Sequence, residues 1–298
     1  MRHKLQRTFL LAGLVILAVL TAGCSPLSIV NGLARSDTYK VTANVSYGAD
    51  TRDKLDVYQP AENAKRSAPR GGYPVVVFFY GGSWNSGERA DYKFVGEALA
   101  SHGIVTVVAD YRLYPEVRYP DSLTDSALAV AWAKREAPQY GGDANRLFVM
   151  GHSSGGYNAA MVALDPRWLS ATGMPPTALA GWIGLAGPYD FLPMTNKKAQ
   201  PVFFHPAYPA GTQPIDYVSK AAPRTFLGAA ADDDIVNPER NTRQMADKLR
   251  MVGVPVTLKI YPRANHFTLI GALARPLRGL EPVLEDVAAF VQGDVTAQ

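Results

Sequence analysis

Six short apolar runs, separated by stretches with helical spacing, constrain the fold of this chain more than any other feature of its sequence. The run at residues 75–80 is continuous and rich in β-branched and aromatic residues, as in a strand buried on both faces of a sheet. The other five lie at residues 104–109, 146–150, 179–185, 225–230 and 256–261. Helical patterns lie at residues 92–102, 123–137, 155–164, 238–251 and 282–291. This alternation predicts βαβ units, and hence an α/β fold with a mostly parallel sheet flanked by helices.

The remaining segments can be placed around this alternation. Two short alternating stretches, 41–47 and 54–58, predict an antiparallel strand pair at an edge of the sheet. Residues 188–223 interrupt the alternation with several prolines and aromatic side chains, and we expect them to form a small insertion over one end of the sheet. The aromatic residues of this insertion are Phe191, Phe203, Phe204, Tyr208 and Tyr217. Residues 40–298 are thus predicted to form a single domain.

The first 23 residues have the pattern of a secretory signal peptide, with a basic start, a short apolar run at 9–20 and small residues before a cut site. The apolar run is short for a membrane span, which needs about 20 residues. Cys24, the only cysteine, follows Ala-Gly at the cut site, a placement that resembles the signal of bacterial lipoproteins. We therefore expect residues 1–23 to be removed, Cys24 to be lipidated, and residues 24–39 to be a tether. An uncleaved N-terminal anchor is the alternative.

Both interpretations of the N-terminus place the rest of the chain outside the cytoplasm, in the cell envelope. By resemblance to Gram-negative lipoproteins, Ser25 after the cysteine favours the outer membrane, facing the periplasm or the cell surface. The membrane is then reached through the lipid anchor.

Charge and cysteine content exclude several classes of protein. The formal net charge is +4, but the predicted signal peptide carries three basic residues, so the charge gives no reason to expect a nucleic-acid partner. A single cysteine allows neither an intrachain disulfide nor a thiolate cluster for zinc or iron–sulfur. We expect no metal and no organic cofactor.

One sequence of the form G-x-S-x-G occurs in the chain, at residues 151–155, with Ser153 at its centre. It directly follows one predicted strand and opens a predicted helix, which is the strand–turn–helix setting of a nucleophile elbow. Small residues around the serine let the backbone turn sharply and lift the side-chain oxygen clear of the sheet. An ordinary glycine-rich turn is the alternative, but it would not explain the residues described next. We expect Ser153 to be a nucleophile.

A serine hydroxyl is a poor nucleophile without a base, and histidine is the usual one. The histidines of the chain are His3, His102, His152, His205 and His266. The first lies in the signal peptide, the second ends a helix away from the elbow, and the third adjoins the serine and is expected to point away from it. Of the other two, His205 lies in the insertion and His266 follows the last predicted strand. In folds with a nucleophile elbow the catalytic residues follow along the chain in the order Ser, Asp or Glu, His, so the base is expected after the last strand. We therefore choose His266.

The acid that orients the base should follow the preceding strand, where Asp232, Asp233 and Asp234 stand together. Three adjacent carboxylates cannot all be buried and ionised cheaply. One should face His266 while the others stay solvated or cap the next helix. We choose Asp233, with its two neighbours as alternatives and Asp190, after the strand before, as a further one.

A glycine-rich segment, residues 80–84, follows the first buried strand, where an oxyanion loop is expected in such a fold. Backbone N–H groups in such a loop stabilise the developing negative charge. We expect the N–H groups of Gly82, Ser83 and Ser154 to do so. Trp84, together with the aromatic insertion, indicates an apolar substrate pocket for a small or aromatic group.

These residues resemble the α/β-hydrolase superfamily, in particular its branch of hormone-sensitive-lipase-like carboxylesterases, BD-FAE-type feruloyl and acetyl xylan esterases and kynurenine formamidases. The resemblance covers about residues 40–295 and includes the segments 110–116 and 141–146. It implies a scaffold role for Arg112. Where the family usually has His-Gly-Gly, this chain has Tyr80-Gly81-Gly82. In the family that histidine braces the oxyanion loop, and a tyrosine hydroxyl can do the same.

The resemblance implies a serine hydrolase that cleaves a small-molecule carboxylic ester through an acyl-enzyme. Ser153 would attack, His266 would transfer the proton and Asp233 would orient the base. The same geometry also serves amide hydrolases, so an aryl formamidase or a peptidase is the alternative. A catalytically inactive, tethered binding protein on the same fold is a further one.

Overall fold

The computed structural model describes residues 31, 32, 34, 37–62 and 64–293. The predicted signal peptide, Cys24, Ser25 and most of the predicted tether lie outside these residues. Within the described part of the chain, eight strands form one sheet in the spatial order β1-β2-β4-β3-β5-β6-β7-β8. The strands are β1 (Tyr39–Ser46), β2 (Lys54–Pro60), β3 (Tyr73–Phe79), β4 (Val105–Ala109), β5 (Gly142–His152), β6 (Gly181–Leu185), β7 (Thr225–Ala230) and β8 (Val256–Tyr261).

The sheet is mostly parallel, which confirms the predicted α/β class. The strands from β3 to β8 pair in parallel with their neighbours, whereas β2 runs antiparallel to both β1 and β4. All six runs form strands. Central strands such as β3 and β4 are buried along almost their whole length, as expected where helices cover the sheet, whereas the edge strand β8 is mostly half-buried. The carboxyl ends of the parallel strands therefore meet at one edge, where loops can bring distant residues together.

Helices connect the strands and cover the sheet. They are α1 (Lys93–Ser101), α2 (Asp121–Glu136), α3 (Ser154–Leu164), α4 (Pro166–Ala171), α5 (Gln244–Met251), α6 (His266–Gly271) and α7 (Val283–Gln292). Among the residues that the structure describes, none of the helices has the length and apolar character needed to cross a membrane.

Two helices begin differently from the prediction, and two were not predicted. A 3₁₀ turn, Arg89–Tyr92, precedes α1, and a π-helical segment, Glu239–Arg243, precedes α5. The helices α4 and α6 have six residues each. A helix of six residues has fewer than two turns, so the spacing of its apolar residues gives little sign of it in the sequence. Its capping residues are therefore the better sequence signal.

The segment 188–223 contains two 3₁₀ turns, Gln200–Phe203 and Pro214–Tyr217. Phe203 is fully buried and meets Trp84 edge to face, with ring centroids 4.9 Å apart. It packs in the same way against Tyr157 of α3, at 5.5 Å. These contacts hold the segment against the loops that follow β3 and β5.

Candidate active site

Ser153 lies at the turn between β5 and α3, with φ 54° and ψ −124°. Residues other than glycine rarely adopt this backbone conformation. The two motif glycines make the turn possible, since a Cβ on Gly151 would lie 2.0 Å from the carbonyl oxygen of Gly155. A Cβ on Gly155 would lie 2.1 Å from the carbonyl oxygen of Phe79. The helix can therefore leave the strand at a sharp angle, and the serine is half-buried at the carboxyl edge of the sheet.

Three of the predicted residues lie in one hydrogen-bonded line. Ser153 Oγ is 3.0 Å from His266 Nε2, and His266 Nδ1 is 2.8 Å from Asp233 Oδ2. With its proton on Nδ1, the ring donates to the carboxylate and accepts from the serine hydroxyl. Because His266 and Asp233 are both buried, the electrostatic attraction between them is stronger than it would be in water.

The second oxygen of Asp233 is also occupied. Its Oδ1 accepts hydrogen bonds from the backbone N–H groups of Ile235 and Val236, at 2.9 and 2.8 Å. Burial by itself raises the pKa of Asp233, but the hydrogen bond and charge of His266, with these two N–H groups, outweigh it and lower the pKa. The carboxylate is therefore held ionised and in one orientation.

The other three candidate acids do not face the base. Asp232 and Asp234 are exposed. The tight turn that buries Asp233 directs the residues on either side of it to solvent. Asp190 forms an ion pair with Arg240 at 3.0 Å.

His266 is the first residue of α6, and a capping box fixes its backbone. Asn265 Oδ1 accepts from the N–H groups of Phe267 and Thr268, and Thr268 Oγ1 accepts from the N–H of Asn265. The helix was missed from periodicity, but the spacing of Asn265 and Thr268 around the histidine is a signal that could have found it.

The described histidines that were set aside have other partners. His102 Nδ1 lies 2.9 Å from the carbonyl oxygen of Ala98, and His205 Nδ1 lies 2.7 Å from the hydroxyl of Tyr208. His152 Nε2 lies 2.9 Å from the carbonyl oxygen of His266.

The predicted oxyanion loop turns toward the elbow with positive φ at Gly82 and Ser83. It comes close to the nucleophile, because a Cβ on Gly81 would lie 2.9 Å from the Cβ of Ser153. In the described part of the chain, no group accepts a hydrogen bond from the backbone N–H of Gly82, Ser83 or Ser154. These N–H groups are therefore available to a bound oxyanion.

Tyr80 braces the start of this loop, where the resemblance places a histidine. Its hydroxyl donates to Asp110 Oδ1 and accepts from Arg52 Nη2, both at 2.9 Å. Its ring stacks on Tyr111, with centroids 4.9 Å apart. Arg52 also donates to the carbonyl oxygen of Gly87, at the far end of the loop. Sequence analysis missed Arg52, because an arginine between two strands carries no local signal.

Arg112 has the contacts of a scaffold residue. Its guanidinium meets the carboxylate of Asp125 through Nε at 3.0 Å and Nη2 at 2.7 Å. The pair ties the loop after β4 to α2 and lies outside the line of Ser153, His266 and Asp233.

A cavity of about 370 Å³ opens beside Ser153. Its apolar lining includes Trp84, Phe191 and Met194. Trp84 is mostly buried, and its Nε1 donates to Asn158 Oδ1 at 3.0 Å. The cavity has room for a small ester.

The cavity also has a polar part to its lining, which sequence analysis did not predict. It includes Asn196, Arg240 and Asn241. These residues come from the insertion and from the segment before α5, which only the folded chain brings to one place. Among the residues described, no three His, Cys, Asp or Glu side chains are grouped as a metal site would require.

Known proteins with similar sequences are esterases by name. Esterase LipC of Mycobacterium tuberculosis (strain ATCC 25618 / H37Rv) is 31% identical over 75% of this chain and 58% of its own length. The probable isoprenylcysteine alpha-carbonyl methylesterase ICME of Oryza sativa subsp. japonica is 27% identical over 95% of this chain and 71% of its own length. The chain thus spans less than two thirds of LipC.

Solved structures share the fold. A thermostable esterase from Pseudomonas putida ECU1011 has a TM-score of 0.66 and 23% identity, over 94% of this chain and 95% of that one. A truncated carbohydrate esterase from gut microbiota has a TM-score of 0.70 and 18% identity, over 88% and 99%. The model of the BD-FAE family matches residues 55–249, which include the predicted oxyanion loop, Ser153 and Asp233. This chain therefore belongs to the BD-FAE family of α/β-hydrolases.

Proposed function

We propose that this protein is a serine esterase that cleaves small carboxylic esters through an acyl-enzyme. The observation that carries the proposal is the line from Ser153 Oγ to His266 Nε2, at 3.0 Å, and from His266 Nδ1 to Asp233, at 2.8 Å. The BD-FAE family and relatives named as esterases support the choice of a carboxylic ester over other substrates.

In the first half of the reaction, Ser153 Oγ attacks the ester carbonyl carbon while His266 Nε2 takes the hydroxyl proton. The carbonyl oxygen becomes an oxyanion, to which the N–H groups of Gly82, Ser83 and Ser154 can donate. Asp233 holds the proton on His266 Nδ1 and stabilises the imidazolium. When the intermediate collapses, the C–O bond to the alcohol breaks and His266 returns the proton to the leaving oxygen.

In the second half, water attacks the acyl-enzyme. His266 Nε2 takes a proton from the water, and a second oxyanion forms in the same loop. Collapse of this intermediate breaks the bond between Ser153 Oγ and the acyl carbon, and the serine regains its proton from His266. One water is consumed and one carboxylic acid is released, so the chemistry requires no cofactor.

The cavity favours a small substrate with both apolar and polar parts. Its volume of about 370 Å³ suits a short acyl group and a modest alcohol. Phe191 and Met194 offer an apolar surface, and the polar side chains of Asn196 and Arg240 also line the cavity. We expect short acyl chains to be cleaved faster than long ones.

A substrate panel tests the proposal. Wild type and Ser153→Ala are assayed with p-nitrophenyl esters of increasing acyl length, with aryl amides and with N-formylkynurenine. We expect ester turnover that falls with acyl length, and Ser153→Ala should lower it by several orders of magnitude. Faster cleavage of the amides would assign the protein to the amide hydrolases, and loss of less than tenfold in Ser153→Ala would refute the nucleophile.

We also propose that Cys24 is lipidated and anchors the protein in the cell envelope, in the outer membrane. The support is the sequence pattern around Cys24. Several acyl chains anchor a protein stably, at about 0.8 kcal/mol per buried CH₂, whereas a single chain binds only marginally. Wild type should incorporate a radioactive fatty acid and fractionate with membranes, and Cys24→Ala should block both lipidation and maturation by the lipoprotein pathway. A chain that starts at Ser25 behind an ordinary signal should be released and fully active; an unlabelled wild type would refute the proposal.

A further inference from the structure

One buried histidine beside the active site has no part in the mechanism described so far. His152 is only 4% exposed, and its Nε2 lies 2.9 Å from the carbonyl oxygen of His266. The two imidazole rings are close, with centroids 4.9 Å apart. His152 does not line the cavity, so it has no direct route to the substrate.

The hydrogen-bond partner fixes the tautomer of His152. A carbonyl oxygen can only accept, so the proton of the neutral ring must be on Nε2. Nδ1 is then bare, and within the described residues this buried atom has no hydrogen-bond partner. Burial, with a smaller effect from the charge of His266, lowers the pKa of His152 to about 3. The ring is therefore a neutral donor near neutral pH.

The hydrogen bond from His152 to the His266 carbonyl joins two elements that lie far apart in the sheet. His152 is the last residue of β5 and directly precedes Ser153, whereas His266 opens α6 after β8. Two strands, β6 and β7, lie between β5 and β8, which corresponds to roughly 14 Å at the usual strand spacing. The nucleophile and the base thus depend on loops to bring them within 3.0 Å.

The other restraints on His266 act differently. Asp233 holds its side chain from the loop after β7, at 2.8 Å. The capping box of Asn265 and Thr268 holds its backbone within α6 itself. The bond from His152 instead fixes the His266 backbone to the strand that carries Ser153.

We infer that His152 is a positioning residue, which keeps the backbone of His266 in register with the nucleophile through the bond from its Nε2–H to the His266 carbonyl. The inference rests on the proposed function. Loss of this hydrogen bond should lower kcat, because misplacement of a catalytic group by about 1 Å can lower the rate by on the order of 100-fold. KM should change little, since His152 does not line the cavity.

Two substitutions separate positioning from packing. In His152→Gln, the side-chain amide can place an N–H where Nε2–H lies, whereas His152→Met has a similar length and no donor. We expect His152→Met to lower kcat by tenfold to about 100-fold with KM within about twofold, and His152→Gln to restore most of the loss. If His152→Met does not fold, His152→Asn takes its place, because its shorter amide does not reach the carbonyl.

A matched control and a second readout complete the test. His102→Met removes another buried histidine that bonds a backbone carbonyl, and it should leave kcat unchanged even if it lowers the melting temperature. The rate at which a fluorophosphonate labels Ser153 should fall with kcat in His152→Met. Equal losses in His152→Gln and His152→Met, or no loss in either, would overturn the inference. If wild type were neither labelled nor active on any ester, the proposed function itself would fail, and the inference with it.

Discussion

The change Asp233→Asn tests the candidate site most sharply, because its effect can be worked out from the hydrogen bonds. Asp233 Oδ1 accepts from the N–H groups of Ile235 and Val236. The amide oxygen of an asparagine must stay at this position, since an NH₂ group there would face two donors. Its NH₂ group would then point at His266 Nδ1, which lies 2.8 Å from Oδ2 in the wild type. His266 would be forced to carry its proton on Nε2.

That tautomer cannot accept the proton of Ser153. The packing would be nearly unchanged, so the loss should fall on the chemical step alone. The equivalent substitution in a Ser-His-Asp triad costs about 10⁴-fold in kcat. At about 1.4 kcal/mol per tenfold, this corresponds to roughly 5 to 6 kcal/mol of transition-state stabilisation. We expect a decrease of this order, with KM nearly unchanged.

The assay is steady-state hydrolysis of p-nitrophenyl acetate, with a melting curve to show that the variant is folded. Asp232→Asn is the matched control, because it makes the same chemical change on an exposed side chain next to Asp233, and it should keep nearly full activity. Asp190→Asn tests the other candidate acid. A loss of less than tenfold in Asp233→Asn, or a larger loss in Asp190→Asn, would refute the assignment.

Three further perturbations test the backbone, the buried histidine and the oxyanion loop. Ser153→Gly should relieve the positive φ of the elbow and unfold at higher denaturant than Ser153→Ala, by about 1–3 kcal/mol; equal stability would show that the turn is not strained. The pKa of His152 is lowered from 6.5 to about 3, so between these values the unfolded chain binds the extra proton. Stability should therefore decrease as the pH is lowered through this window, by up to about 1.4 kcal/mol per pH unit, and urea titrations of His152→Gln should show a shallower dependence on pH than wild type. Tyr80→Phe removes the hydroxyl between Arg52 and Asp110 and should cost about 1–3 kcal/mol of stability and lower kcat. Unchanged denaturation and kcat in this variant would show that the hydroxyl does not brace the loop.

The class of fold and the nucleophile follow from local pattern. A short continuous apolar run rich in β-branched and aromatic residues, such as residues 75–80, is typical of a strand covered on both faces. The sharp turn of the elbow is equally local, since a Cβ on Gly151 would lie 2.0 Å from the carbonyl oxygen of Gly155, four residues along the chain. A sequence pattern can specify these features because each depends on residues close together along the chain.

The choice among Asp232, Asp233 and Asp234 is less local. Sequence alone indicates that one of the three should face His266, because three buried carboxylates would repel one another. The folded turn decides which, by directing the N–H groups of Ile235 and Val236 to a single side chain. The role of that side chain in catalysis stays a prediction until Asp233→Asn is measured.

The tertiary structure alone decided the contacts that cross the sheet. Arg52 reaches Tyr80 and Gly87, Arg240 reaches the cavity beside Asp190, and His152 reaches the carbonyl of His266, 114 positions along the chain. The sequence by itself determined the strands, the elbow and the order of the candidate catalytic residues, because periodicity and steric limits act over a few residues. The partners of a long or buried polar side chain depend on which loops meet at the carboxyl edge of the sheet, and that is set only when the strands take their order.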